Sequence, residues 1–165
     1  TNQTIALIAH AALGNTDKAK EMLQQGADIH ADGDGALRYA AGNGQTETVS
    51  LLLDRGADIH TYLDHALRYA AIYGHTETAA LLLDRGADIH AKNEEALRSA
   101  TGKGHTKTIK LLIEKYPTKL LKEIKTQPIK TESLKSALPA IEKEIKTRLI
   151  KSIRKHQDQN PGMDM

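Results

Sequence analysis

The chain has 165 residues, with 23 Lys+Arg against 21 Asp+Glu for a formal net charge of +2, and 39% of it is apolar; this is room for one domain of ordinary size with a tail. Phe, Trp and Cys are absent and five Tyr are the only aromatic residues, which excludes a disulfide framework, a thiol nucleophile and a cysteine metal site. Burial must come from many small Ala, Leu and Ile contacts, so the composition favours a repetitive helical fold, and the absence of Cys suits an intracellular setting. No apolar run approaches the roughly 20 residues of a membrane span, and the first residues lack the basic-then-apolar order of a signal peptide. A chain beginning at Thr1 instead of Met reads as a fragment.

Residues 1–25 form a degenerate first unit: an offset of 30 residues maps Ala6 and Leu7 onto Ala36 and Leu37, Gly14 onto Gly44, and Leu23 and Gly26 onto Leu53 and Gly56. Three clear copies follow. Residues 26–55 read GADIHADGDGALRYAAGNGQTETVSLLLDR and residues 56–85 read GADIHTYLDHALRYAAIYGHTETAALLLDR, identical at 21 of 30 positions; residues 86–115 read GADIHAKNEEALRSATGKGHTKTIKLLIEK. In each, ALRYAA or its copy, closed by Gly44, Gly74 or Gly104, predicts one short helix. TETxxLLLDR, opened by Thr46, Thr76 or Thr106 as N-cap, predicts a second. Gly56 and Gly86 stand where a left-handed C-cap is needed. Isolated helices under about 12 residues rarely hold in water, so these must stack to bury Leu37, Ala40, Leu51 and Leu52 and their copies. In the first unit, Ile8 replaces the repeat Arg and Leu13 replaces Asn43, an apolar face that calls for cover by a further repeat or a partner.

The character changes after residue 115. All four Pro lie beyond it while eleven of the twelve Gly precede it, and residues 116–165 carry a net +5 against −3 for residues 1–115. Leu120, Leu121 and Ile124 suggest a short helix ended near Pro128. Leu138, Ile141, Ile145, Leu149 and Ile153 then recur at three and four residues, the stripe of a longer amphipathic helix. Residues 116–156 are expected to be a helical cap or extension and residues 157–165 a disordered tail.

GADI at 26–29, 56–59 and 86–89, Leu-x-x-Ala in the first helix, Gly-His at 74–75 and 104–105, and the LLL run of the second helix resemble the ankyrin repeat over about residues 4–115. The resemblance implies an all-α, ankyrin-type helical repeat solenoid with a helical C-terminal extension. Two departures stand out. The family period is about 33 residues, and the three missing ones fall between Ala31 and Leu37, so the fingers should be short and their hairpins tight or irregular. Arg38, Arg68 and Arg98 stand where the family has His after the Leu. Shortened repeats with Ala-Leu-Arg are similar to those of large DNA viruses and intracellular bacteria, which would extend the intracellular setting to a host cytoplasm.

No nucleophile, base or metal cluster is apparent, so the chain reads as a non-enzyme without cofactor, metal or small-molecule substrate. His30, His60 and His90, at equivalent positions of stacked units, should stand about 8–10 Å apart, too far to share one zinc. His60 and His65 alone make an incomplete site. His75 and His105 read as capping or inter-repeat hydrogen-bonding groups, and Asp58 and Asp88 as structural carboxylates beside the capping glycines.

Recognition of another protein is the better reading. Positions that vary between otherwise similar copies are not needed for stacking, and variation concentrates in the finger and at the end of the first helix, which the resemblance makes the concave, partner-facing positions. Among them are Asp32 and Asp34, then Tyr62, Leu63, Asp64 and His65, then Lys92, Asn93 and Glu95 in the fingers, with Asn43, Ile72, Tyr73 and Lys103 at the helix ends. The middle repeat holds Tyr62, Leu63, Ile72 and Tyr73 where its neighbours hold mostly polar or glycine residues, a pattern fitting an interface hot spot; packing of Tyr62 on Tyr73 is the other reading. Tyr39 and Tyr69 read as packing residues. Pairing of the three arginines with finger or neighbouring carboxylates outweighs binding of an acidic partner. The rival functional element is the basic amphipathic helix over 138–156, whose Lys and Arg flank an apolar stripe and suit a membrane surface or a partner's groove, although capping of the last repeat is favoured for it. Nucleic acid ranks third, since no aromatics interleave with the lysines.

Overall fold

The computed structural model describes residues 1–115 together with Lys143 and Thr147. The cap expected over 116–156 and the tail 157–165 otherwise lie outside the described residues. Within residues 1–115, eight helices pair into four units: α1 (Asn2–Leu13) with α2 (Thr16–Gln24), α3 (Ala31–Gly42) with α4 (Thr46–Asp54), α5 (Thr61–Ile72) with α6 (Thr76–Asp84), and α7 (Ala91–Lys103) with α8 (106–115). No strand occurs among the described residues. The first helices α1, α3, α5 and α7 pack side by side in one layer, and α2, α4 and α6 in another.

Alanine explains the closeness of the first layer. Ala36, Leu37, Ala40 and Ala41 in α3 and Ala66, Leu67, Ala70 and Ala71 in α5 are all buried, so each turn offers one leucine and a flat alanine surface to both neighbours. In the second layer, Leu52, Leu82 and Leu112 are fully buried, whereas Leu51 and Leu53 are only partly so. Three consecutive helical residues span about 200° of the circumference, so only the middle leucine of each run faces the core, and the burial expected for Leu51 is incomplete. At the first end, Ile5 and Leu13 stand exposed on α1 and Ile8 is half-buried.

The glycines fall as expected. Gly44 has φ 72° and Gly56 φ 93°, the left-handed values that close one helix and lead into the next element. They differ in surroundings: a Cβ on Gly44 would lie 2.5 Å from His75 Nδ1, while one on Gly56 meets nothing within 4 Å. Either Ala substitution costs about 1–2 kcal/mol for the left-handed backbone. Gly44→Ala is expected to cost about 1 kcal/mol more, because the His75 ring must leave its contact with Gly42; urea denaturation of the two variants measures the difference.

The threonine caps are corrected. The N-cap positions of α4 and α6 are Gln45 and His75, with no side-chain cap bond, and Thr46 and Thr76 are the first helical residues. Their hydroxyls are used between units instead. Thr16 meets Thr48, Thr46 meets Thr78 and Thr76 meets Thr108, each with 2.7 Å between Oγ1 atoms. The Thr-x-Thr spacing thus places one hydroxyl toward the following unit and another, buried, toward the preceding one.

Candidate functional site

The three residues missing from each finger have a defined structural consequence. In place of a hairpin, α3, α5 and α7 each open with one left-handed turn before the right-handed helix begins: φ is 54°, 56° and 52° at residues 32–34, 51°, 58° and 53° at Tyr62, Leu63 and Asp64, and 53°, 57° and 60° at Lys92, Asn93 and Glu94. Such a turn costs L-residues about 1–2 kcal/mol each and leaves carbonyls without helical partners. In the first two clear repeats the arginine after the leucine supplies those partners. Arg38 donates from Nε to Gly33 O at 2.8 Å and from Nη2 to Asp32 O at 2.6 Å, and its Nη2 also lies 3.1 Å from Asp32 Oδ2. Arg68 donates from Nη1 to Tyr62 O at 2.8 Å and to Leu63 O at 3.2 Å. Its Nε stands 2.7 Å from Glu95 Oε2 of the next unit, an ion-pair contact without hydrogen-bond alignment. The expected arginine–carboxylate pairing is therefore present, but backbone carbonyls are the principal acceptors. Nor is the ladder uniform: Arg98 is exposed and takes no hydrogen bond or ion pair among the described residues.

Two of the expected recognition residues are instead parts of the stack. Asp34 and Asp64 are 4% and 5% exposed. Asp34 accepts from Asp58 N at 2.8 Å and Thr61 Oγ1 at 2.9 Å and lies 3.1 Å from His30 Nδ1; Asp64 accepts from Asp88 N at 2.6 Å and lies 3.0 Å from His60 Nδ1. Each carboxylate joins one repeat to the next, the task Thr4 performs by accepting from Asp28 N at 3.1 Å. His75 and His105 also act between units, reaching Gly42 O at 3.0 Å and Ile72 O at 2.9 Å. Asp58 and Asp88 accept from the backbone of His60 and His90. Among the described residues no three His, Cys, Asp or Glu are grouped to hold a metal ion, and no helix is long and apolar enough to cross a membrane.

The other variable positions do reach the surface. Tyr62, Leu63 and Tyr73 are 60%, 62% and 56% exposed, and Asp32, Asn43, Lys92, Asn93 and Lys103 are exposed as well, while His65, Ile72 and Glu95 are half-buried. Tyr62 and Tyr73 have separate neighbours. The Arg38 guanidinium lies 5.0 Å from the Tyr62 ring centroid, and Tyr73 meets Tyr69 edge-on at 5.8 Å. Asn43 is tied to Ala12 O at 2.9 Å. A groove of about 540 Å³ is lined by residues that include Arg38, Tyr39, Tyr62, Leu63 and Arg68, and a second of about 570 Å³ by residues that include Arg38, Tyr39, Asn43 and Tyr73. The shared Arg38 and Tyr39 make the two grooves neighbours.

Tyr39 is the surface residue that reading by copies passed over. It is 46% exposed, whereas Tyr69 is covered by His65, stacked 3.9 Å away at 21°. The two tyrosines are identical in the repeats, but four residues earlier stand Gly35 and His65. A helical spacing of four puts that position on the same face, a signal that was available in the sequence.

First helices in one layer, second helices in another, and units that pack chiefly on their neighbours define a helical repeat solenoid, which offers a continuous surface in place of an enclosed site. A family model described as Ankyrin repeats (3 copies) matches residues 1–63, and another, Ankyrin repeats (many copies), matches residues 67–113. The chain belongs to the ankyrin repeat family. Comparison with curated proteins gives no match. Ankyrin repeats mark a protein–protein interaction module, and the family is in general non-enzymatic.

Proposed function

We propose that the chain is a non-catalytic recognition scaffold that binds another protein through the concave surface of its fingers and first helices, with the second repeat as the energetic centre. The observation carrying this reading is the exposure of Tyr62, Leu63 and Tyr73 beside two adjoining grooves. Tyrosine and arginine are among the residue types that carry most interface energy, and Tyr62 and Tyr73 stand beside the Arg38 shared by both grooves, with Leu63 adding exposed apolar area. The backbone adds support. Leu63 holds φ 58°, where the preceding repeat has Gly33 at φ 56°; a bulky residue kept in a conformation that glycine adopts freely is strain of the kind found at functional sites.

Affinity capture from cell lysate with mass spectrometry, comparing the wild-type chain with Tyr62→Ala/Tyr73→Ala of unchanged helicity by circular dichroism, tests the reading. The double variant is expected to lose its specifically retained partner, with affinity lowered about tenfold or more. Leu63→Gly should bind more weakly while equalling or exceeding wild type in stability by up to about 1 kcal/mol. Equal retention by wild type and double variant refutes a centre in the second repeat. A chain truncated at about Tyr116 then asks whether the basic segment 138–156, which lies largely outside the described residues, is the binding element.

A further inference from the structure

The groove that runs across all three fingers carries the charge of a carboxylate receptor. Its lining holds Arg38, Arg68 and Lys92 against one carboxylate, Asp32. With Glu95 included, which stands 2.7 Å from Arg68 Nε and 3.4 Å from Lys92 Nζ, cations still exceed carboxylates by one. Residues 1–115 as a whole carry −3, so the positive charge is local. Arg38 has donors to spare: Nε and Nη2 are committed to the finger, while Nη1 has no hydrogen-bond partner among the described residues. Its guanidinium lies 5.3 Å from the Tyr39 ring centroid and 5.0 Å from that of Tyr62, which fixes its orientation. The same positive field acts on His65, whose pKa is pushed down to about 4 by burial and then by Arg38 and Arg68. A neutral His65 leaves the groove's charge to the arginines and Lys92.

We propose that this groove receives an Asp or Glu side chain of a partner protein, with an adjacent large apolar residue of that partner lying on Tyr62 and Leu63. Planar guanidinium groups match carboxylates geometrically, and low-dielectric walls concentrate the field of a cationic cleft. The proposal rests on the concave-surface reading above and narrows it to the chemistry of the ligand.

The test is selection of random heptapeptides displayed on phage against the immobilised full-length chain, followed by fluorescence anisotropy with the selected peptides. Enriched peptides are expected to place Asp or Glu beside a large apolar residue. Replacing that Glu by Gln should weaken binding about tenfold, and Lys92→Glu should weaken it at least about threefold. Lys92→Gln, which adds no repulsion toward Glu95, supplies a second variant if the first loses helicity, and should also weaken binding. Leu63→Gly should reduce it as well. Peptides without an acidic residue whose binding still falls with Leu63→Gly or Tyr73→Ala overturn the carboxylate receptor and leave the wider reading standing. Selected peptides indifferent to every one of these substitutions overturn both. A selection that enriches no peptide overturns the carboxylate receptor, with the wider reading decided by the capture experiment.

Discussion

Arg68→Ala is expected to lower folding stability by about 2–3 kcal/mol, while Arg98→Ala changes it by less than about 0.5 kcal/mol. The two residues occupy the same position of successive repeats, but their surroundings differ. Arg68 is buried, donates to the Tyr62 and Leu63 carbonyls of a left-handed turn, and faces Glu95 of the next unit; Arg98 is exposed and bonds to none of the described residues. Removing Arg68 frees two carbonyls in a backbone that is already strained and leaves Glu95 with Lys92 alone. Arg68→Lys should recover less than half of the loss, because an ammonium cannot serve two carbonyls and a carboxylate with the planar fork of a guanidinium. The cost has a pH signature. Burial opposes ionisation of Glu95, but Arg68 and Lys92 outweigh it and hold its carboxyl below the ordinary 4.5. A carboxylate with a lowered folded pKa stabilises fully above its unfolded value and loses that contribution as pH falls through the folded one. The gap between wild type and Arg68→Ala should therefore be widest near neutral pH and narrow below about pH 4. Urea denaturation at several pH values reads both effects; equal costs at Arg68 and Arg98 would show that the finger does not depend on its arginine.

The contrast between these arginines marks the limit of what the sequence discloses. Helix positions were legible because glycine at 44, 56, 74 and 86 and alanine–leucine periodicity act locally, through φ and through helical faces. The family was legible because the GADI and Gly-His motifs recur in register. Where a side chain spends its hydrogen bonds was less so, since that depends on units 30 residues away. Thr46 looked like a cap and is a rung between helices; Asp34 and Asp64 looked like variable finger residues and are buried ties to the next repeat. Variation between copies misled for Asp34 because Glu94 breaks the pattern in the third repeat, although residue 34 and residue 64 are both Asp. The left-handed turn could not be read at all, for deleting three residues says that a hairpin is missing without saying which conformation replaces it. Its trace in the sequence was the arginine itself, placed four residues beyond the turn's last member, where it can reach back to the turn's carbonyls.

Leu67→Ala is expected to cost about 2–5 kcal/mol, the range for emptying a leucine site in a packed core. Leu67 is 0% exposed, on a helix packed between α3 and α7. Alanines on either side leave few long side chains able to collapse into the space, which places the cost toward the upper half of that range. Its position in the stack sharpens the expectation. In a solenoid, stability is close to a sum of unit terms and nearest-neighbour interfaces, and Leu67 lies on a first helix packed on those of two neighbouring units, α3 and α7, while Leu7, also 0% exposed, lies on α1, which packs on its own α2 and, among the first helices described, on α3. Leu7→Ala should thus cost roughly half as much as Leu67→Ala and loosen chiefly the first unit, visible by hydrogen exchange as faster opening of α1 and α2 with later amides little changed. Leu67→Ala should raise exchange on both sides of α5, and Leu67→Met, which nearly conserves volume, should cost less than about 1.5 kcal/mol. If Leu7→Ala and Leu67→Ala were equally costly and opened every unit together, the stack would be a single cooperative block. Recognition through the second repeat would then draw on the stability of all four units, so a distant core substitution would weaken binding as much as one beneath the grooves.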